Sequence, residues 1–189
     1  MRRHPDVEKT CGSYVPQAFF LFYVIRTGDP DIFRRNYVYY IDSDPDVSLM
    51  REAAEAIRGT HDFRCFMAAG GTPGKTTVRT VSELEISEKT LDRPTRFRRM
   101  QTGGPAIPMV PAPDFRPARE IAIEITGDGF LYNMVRIIAG TLIEAGTGRI
   151  LPADVPEIIG SLDRGRAGHT APPWGLYLKE IYFKDIGSI

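Results

Sequence analysis

The chain has 189 residues, with 24 Lys and Arg balanced by 24 Asp and Glu, so its formal net charge is zero. At 42% hydrophobic and 25% charged it has the composition of a globular protein of one domain or two small subdomains, which excludes wholesale disorder, a collagen-like repeat and a polytopic membrane protein. Zero charge excludes a globally basic nucleic-acid binder but leaves room for a local patch. The basic residues are 19 Arg and only 5 Lys; a guanidinium grips phosphate through two parallel hydrogen bonds, although a compositional bias of the source genome would leave the same mark.

In chain order, residues 1–17 are polar, without periodicity, and read as a lead-in to a domain over 18–189. Residues 18–25 form the longest apolar run, eight residues rich in aromatic and β-branched types, which is strand length and far short of a membrane span. A turn over 26–31 leads to a second strand over 36–41. Asp46 is placed to cap a helix reaching Ile57, with Val47, Met50, Ala53, Ala54 and Ile57 on one face and Gly59 ending it. Residues 60–76 read as a loop or short turn and 77–87 as a strand. The segment 93–118 holds six Pro, two adjacent Gly and several Arg, and reads as a long loop or insertion. Alternation of Ile121, Ile123 and Ile125 marks a strand over 119–126. A helix is predicted over 130–145, a short one near 153–159, a loop over 164–173 and a closing strand over 176–183. The pattern predicts an α+β fold, a mostly antiparallel sheet with helices on one face.

Cys11 and Cys65 share no metal spacing and His4, His61 and His169 are scattered, so neither a disulfide scaffold nor a metal site is expected. Residues 1–6 lead into no apolar core, so no signal peptide is read, and a cytoplasmic protein is the expectation. Asp62 reads as a capping residue and Cys65 as core. Arg93, Arg96, Arg98, Arg99, Arg116 and Arg119 could track an RNA backbone, with Lys75 and Arg79 joining them; a solvated insertion is the plainer alternative. The most informative segment is 127–142. From Phe130 to Ile143 the pattern is apolar nearly all round, yet it carries Arg136, which stays charged and needs an anion or several carbonyl acceptors. On a continuous helix Arg136 shares a face with Tyr132, Asn133 and Gly140, and the missing side chain at Gly140 admits a backbone or a ligand. A structural arginine, paired with a core carboxylate or reaching solvent, fits the same pattern.

The run Gly129-Phe130-Leu131-Tyr132-Asn133-Met134-Val135-Arg136-Ile137-Ile138-Ala139-Gly140-Thr141-Leu142 resembles the signature of the bacterial-type tRNA pseudouridine synthase A (TruA) family. Three further segments resemble that family in order: residues 34–63, ending in His61-Asp62-Phe63; Lys75-Thr76-Thr77-Val78-Arg79-Thr80-Val81; and Thr170-Ala171-Pro172-Pro173-Trp174-Gly175-Leu176-Tyr177-Leu178. The resemblance implies a pseudouridine synthase-type C-terminal domain that isomerises uridine to pseudouridine in tRNA. In that chemistry an aspartate attacks or deprotonates the nucleotide, the glycosidic bond breaks, the base rotates and is rejoined to ribose through carbon, with no cofactor and no metal; the target base must leave its stack. It assigns Arg136 as the partner of the catalytic aspartate and Leu176 as a residue packing at the site. Tyr23, Tyr132, Asn133, Lys75 and Arg79 become candidate substrate-binding residues, and tRNA and a second copy of the chain become expected partners.

The family's Gly-Arg-Thr-Asp-x-Gly-Val-His motif, which carries the aspartate, is not found in these residues. Arg26-Thr27-Gly28-Asp29 imitates it only superficially and reads as a turn. Where the family has a tyrosine against the target base, this chain has Leu21. The chain thus resembles the C-terminal part of such an enzyme. The alternative is a catalytically inactive RNA-binding or dimerisation module of the same descent.

Overall fold

The computed structural model describes residues 14–26, 33–71, 76–91 and 118–185. The 93–117 segment with its arginines, Lys75, Asp29 and the 27–31 part of the expected turn lie outside the described residues. Among the described residues six strands form one sheet: β1 (Tyr14–Arg26), β2 (Tyr39–Ile41), β3 (Gly59–Asp62), β4 (Val78–Leu91), β5 (Ala118–Gly127) and β6 (Leu176–Asp185). The order is β2-β1-β5-β4-β3, with β6 on the same edge of β1 as β2. β6 pairs with Tyr14 to Phe22 and β2 with Val24 to Arg26, so the two share the length of one long strand. Every pairing except β1 with β2 is antiparallel.

Strand β1 begins at Tyr14, earlier than the apolar run suggests, because β6 pairs with residues on both sides of that boundary. Strand β2 is shorter than expected, since residues 33–37 are turn. Residues 59–62 are not loop, since Gly59–Asp62 pairs with β4, while Phe63–Phe66 is a 3-10 turn, within the short turn expected there. Asp62 caps that turn, accepting from the Arg64 N–H at 3.1 Å, and Cys65 within it is fully buried.

Three α-helices lie among the described residues: α1 (Val47–Ile57), α2 (Met134–Gly146) and α3 (Val155–Ser161). Asp46 caps α1 through the Ser48 N–H at 2.7 Å, and Val47, Met50, Ala53, Ala54 and Ile57 are its buried face. Strand alternation places Phe22 and Val24 of β1, Leu84 and Ile86 of β4, and Ile121, Ile123 and Ile125 of β5 on one face, and these merge with the buried faces of the helices in a single core. The α2 helix is buried along almost its whole length. A Cβ at Gly146 would fall 2.7 Å from Met50 Cγ and 2.8 Å from Pro45 Cβ, so glycine there lets α1 and the end of α2 touch.

Across the opposite face of the sheet, Glu120 is 3% exposed and takes Arg34 and Lys89 at 2.5 Å each. Burial raises the Glu120 pKa, but the hydrogen bonds from Lys89 and Arg34 outweigh it and hold the carboxyl below its ordinary range.

Candidate active site around Arg136

Helix α2 starts at Met134, four residues later than the sequence pattern suggests. The reason is Asn133, whose backbone is left-handed (φ 60°), a conformation that asparagine tolerates better than most residues. The Met134 N–H closes a turn onto the Leu131 carbonyl, and Ala68 donates to the Tyr132 carbonyl at 3.1 Å. Tyr132 is therefore not on the helix face that holds Arg136: it is 57% exposed and lies against Gly71, where a Cβ would come within 2.6 Å of the Tyr132 Cβ. Asn133 does meet Arg136, its Oδ1 accepting from Nη1 at 2.8 Å.

The second partner of Arg136 comes from far along the chain. Its Nε donates to the Ala171 carbonyl at 2.6 Å, while the Ala171 N–H donates to the Arg136 carbonyl at 3.1 Å. The half-buried guanidinium thus has two neutral oxygens as its described partners, and its charge stays whole. Several acceptors stand where an anion or carbonyl groups were expected. The gap at Gly140 is filled by backbone rather than ligand: a Cβ there would sit 1.9 Å from the His169 carbonyl oxygen.

Arg136, Gly140 and Glu144 recur at every fourth residue and form one stripe on α2. Residues 168–171 lie along it. The Gly168 N–H donates to Thr141 Oγ1 at 2.9 Å. One oxygen of Glu144 accepts from both the His169 N–H, at 3.0 Å, and Nδ1, at 2.7 Å. Since a carboxylate only accepts, the hydrogen is assigned to Nδ1, and Nε2 faces the Tyr39 hydroxyl at 3.4 Å. Burial raises the Glu144 pKa, but the His169 backbone and ring hydrogen bonds outweigh it and hold the carboxyl below its usual range. Burial, then the nearby Glu144 charge, push the Tyr39 phenol up. His169 and Glu144 escape sequence reasoning because their contact spans 25 residues. The available signal was the spacing of Glu144, four residues past Gly140 and eight past Arg136.

Beyond Ala171 the chain turns through Pro173–Gly175 into β6. Gly175 is required there, as a Cβ would fall 2.5 Å from the Tyr23 carbonyl oxygen. Leu176 follows, partly buried against the core and paired with Phe22. Tyr23 shares this junction through its backbone only. Its ring lies on the opposite face of β1 from Phe22, edge-on to Tyr177 at 5.7 Å, and the Tyr177 hydroxyl donates to the Tyr37 carbonyl at 2.6 Å. Arg79 stands elsewhere, donating to the Thr76 and Val78 carbonyls and lining an open groove of about 390 Å³ with Asp128, Gly129 and Phe130. The structure therefore joins Arg136 to Asn133 and Ala171, with Leu176 beyond the turn that follows Ala171. The described contacts of Tyr23, Tyr132 and Arg79 are with other residues. Among the described residues no group of His, Cys, Asp and Glu could hold a metal, and no helix is long and apolar enough to cross a membrane.

Comparison with known proteins agrees with these motifs. The chain is 39% identical over 166 residues to tRNA pseudouridine synthase A of Bacillus subtilis, covering 88% of this chain and 56% of that protein. It is 40% identical over 150 residues to tRNA pseudouridine synthase A 2 of Clostridium tetani, covering 79% and 49%. It is 38% identical over 154 residues to tRNA pseudouridine synthase A of Acetivibrio thermocellus, covering 82% and 51%. The chain spans about half the length of the curated relatives it matches. Residues 53–184 match the model of the tRNA pseudouridine synthase family, a span that includes α2 with Arg136, the 168–171 segment and most of β6. By that match the chain belongs to the tRNA pseudouridine synthase family.

Proposed function

We propose that this chain supplies the arginine-bearing part of a site that isomerises uridine to pseudouridine in tRNA. The observation that carries the reading is the state of Arg136. Its guanidinium is half-buried and directed by two neutral oxygens, Ala171 O and Asn133 Oδ1, so its full charge remains available to a carboxylate. A cation fixed this way lowers the pKa of an incoming aspartate and orients it. The aspartate that the family resemblance calls for comes from a segment carrying the Gly-Arg-Thr-Asp motif. Leu176, at the end of the turn that begins beyond Ala171, supplies apolar packing beside the flipped base. Asn133 acts through Arg136. Tyr23, Tyr132, Lys75 and Arg79 serve as contacts to the tRNA around the target nucleotide.

The partners follow from this reading: tRNA as substrate, in the cytoplasm, with a second copy of the chain in a homodimer. Leu178 and Ile181 on β6, at 53% and 49% exposure, support a further protein surface covering that strand. The test is release of tritium from C5 of uridine in an unmodified tRNA transcript. The chain is assayed alone and together with the part of the Bacillus subtilis relative that it does not cover. Turnover by the pair and none by either part supports the proposal. tRNA binding without turnover in every combination favours the inactive binding module instead.

A further inference from the structure

The segment 168–171 is a short strap, neither helix nor strand, laid along α2 and tied to it at His169 and Ala171 by different chemistry, with the Gly168 N–H on Thr141 beside them. At one end Ala171 and Arg136 exchange two hydrogen bonds, one of them from the guanidinium Nε to a main-chain carbonyl at 2.6 Å. At the other end Glu144 accepts two hydrogen bonds from His169 on one oxygen, at 3.0 and 2.7 Å. Between them the backbones touch: a Cβ at Gly140 would lie 1.9 Å from His169 O, and one at Gly168 would lie 2.6 Å from Thr141 Cα. Eight residues of helix separate Arg136 from Glu144, roughly 12 Å at 1.5 Å per residue, while the two residues from His169 to Ala171 reach at most roughly 7 Å, so the Arg136 and Glu144 side chains reach inward to span the rest. The backbone between the two anchors is thus short and has little slack. Its carbonyl at Ala171 cannot move along the helix while His169 stays on Glu144.

We propose that Glu144 and His169 are positioning residues: by anchoring the strap they fix the Ala171 carbonyl, and through it the direction in which Arg136 presents its guanidinium. The consequence for catalysis rests on the reading of Arg136 as the site arginine; the geometric coupling does not. Glu144 holds charge where the strap needs an acceptor, close to Arg149, whose charge also favours the ionised form. Tyr39, edge-on to the imidazole at 6.1 Å between ring centroids, limits the ring's freedom on its other side.

The experiment uses the 189-residue chain, labelled with 15N, and reads hydrogen exchange at the Arg136 Nε–H, identified by its loss in Arg136→Lys. Protected amides of α1 serve as the internal gauge of global stability. Glu144→Ala removes both acceptor contacts and is expected to speed Nε–H exchange about tenfold or more, with the α1 amides unchanged. Glu144→Gln keeps an oxygen that can accept both bonds and is expected to stay within about twofold of the native rate. If Glu144→Ala does not fold, His169→Ala carries the same test, and His169→Asn, which keeps a donor near Nδ1, is expected to restore protection. Native exchange at Nε–H in Glu144→Ala or His169→Ala overturns the inference. So does acceleration of the α1 amides by the same factor, because the pair would then be only structural. If exchange responds as expected while Arg136→Met still supports pseudouridine formation, the catalytic reading fails and the positioning claim stands.

Discussion

Replacing Gly140 by alanine pits helix propensity against the strap. In an open helix interior the change is expected to stabilise, since glycine costs about 1 kcal/mol relative to alanine. Gly160 in α3 is such a site, with nothing within 4 Å of an added Cβ, and Gly160→Ala is expected to raise stability by up to about 1 kcal/mol. At Gly140 the new Cβ would meet His169 O at 1.9 Å and His169 C at 2.9 Å, and both atoms are backbone. Relief requires the strap to retreat by roughly 1.5 Å to reach an ordinary contact distance. That retreat lengthens the Gly168–Thr141, His169–Glu144 and Ala171–Arg136 hydrogen bonds together. Overpacking costs about 1–3 kcal/mol and each hydrogen bond about 1 kcal/mol. Less the gain in propensity, the expected loss is about 3–5 kcal/mol, or a fall in Tm of roughly 6–20 °C for a chain of this size. Urea and thermal unfolding of the two variants read this directly. A Gly140→Ala variant as stable as Gly160→Ala would refute the placement of the strap on α2.

Asn133 combines a left-handed backbone with an acceptor for Arg136, so Asn133→Ala is expected to cost about 2 kcal/mol and Asn133→Gly, which keeps the backbone freedom, about 1 kcal/mol or less in urea titration. Glu120 has a folded-state pKa below its unfolded value, so its contribution is present above the usual carboxylate range and is lost as pH falls through the lowered value. Glu120→Gln should therefore cost about 1–2 kcal/mol near neutrality, discounted because Lys89 and Arg34 reach solvent, and should flatten the fall of Tm between about pH 6 and 3. Burial pushes the Cys65 thiol up to about 11, so peptide-mapped alkylation of Cys65 at about pH 8 should be at least about a hundredfold slower in the native chain than in urea.

Periodicity carried those parts of the fold where burial follows a single face. The five buried positions of α1, its Asp46 cap and the three isoleucines of β5 are legible one residue at a time. It failed where pairing or backbone chirality intervened. Residues 59–62 become a strand because β4 offers them an edge, which no local pattern reports. The start of α2 was misplaced because the apolar run 130–143 continues through Asn133, while the left-handed turn there breaks the helix. Within the site, the demand of Arg136 for acceptors and the close approach at Gly140 were legible from charge and size. Their suppliers, Ala171 and His169, were not, because the strap reaches α2 only through tertiary structure. Tyr132 falls before the helix because of the same left-handed turn at Asn133.

The measurement that bears most directly on the reading of Arg136 is pseudouridine formation by Arg136→Met in the two-part assay, with tRNA binding and Tm recorded on the same samples. The expected result is a folded chain with Tm lowered by roughly 5–10 °C, since Ala171 O and Asn133 Oδ1 lose their donor, tRNA affinity within a few-fold of native, and tritium release reduced at least about a hundredfold. Native-rate tritium release by Arg136→Met, or unfolding of the variant chain, would contradict it.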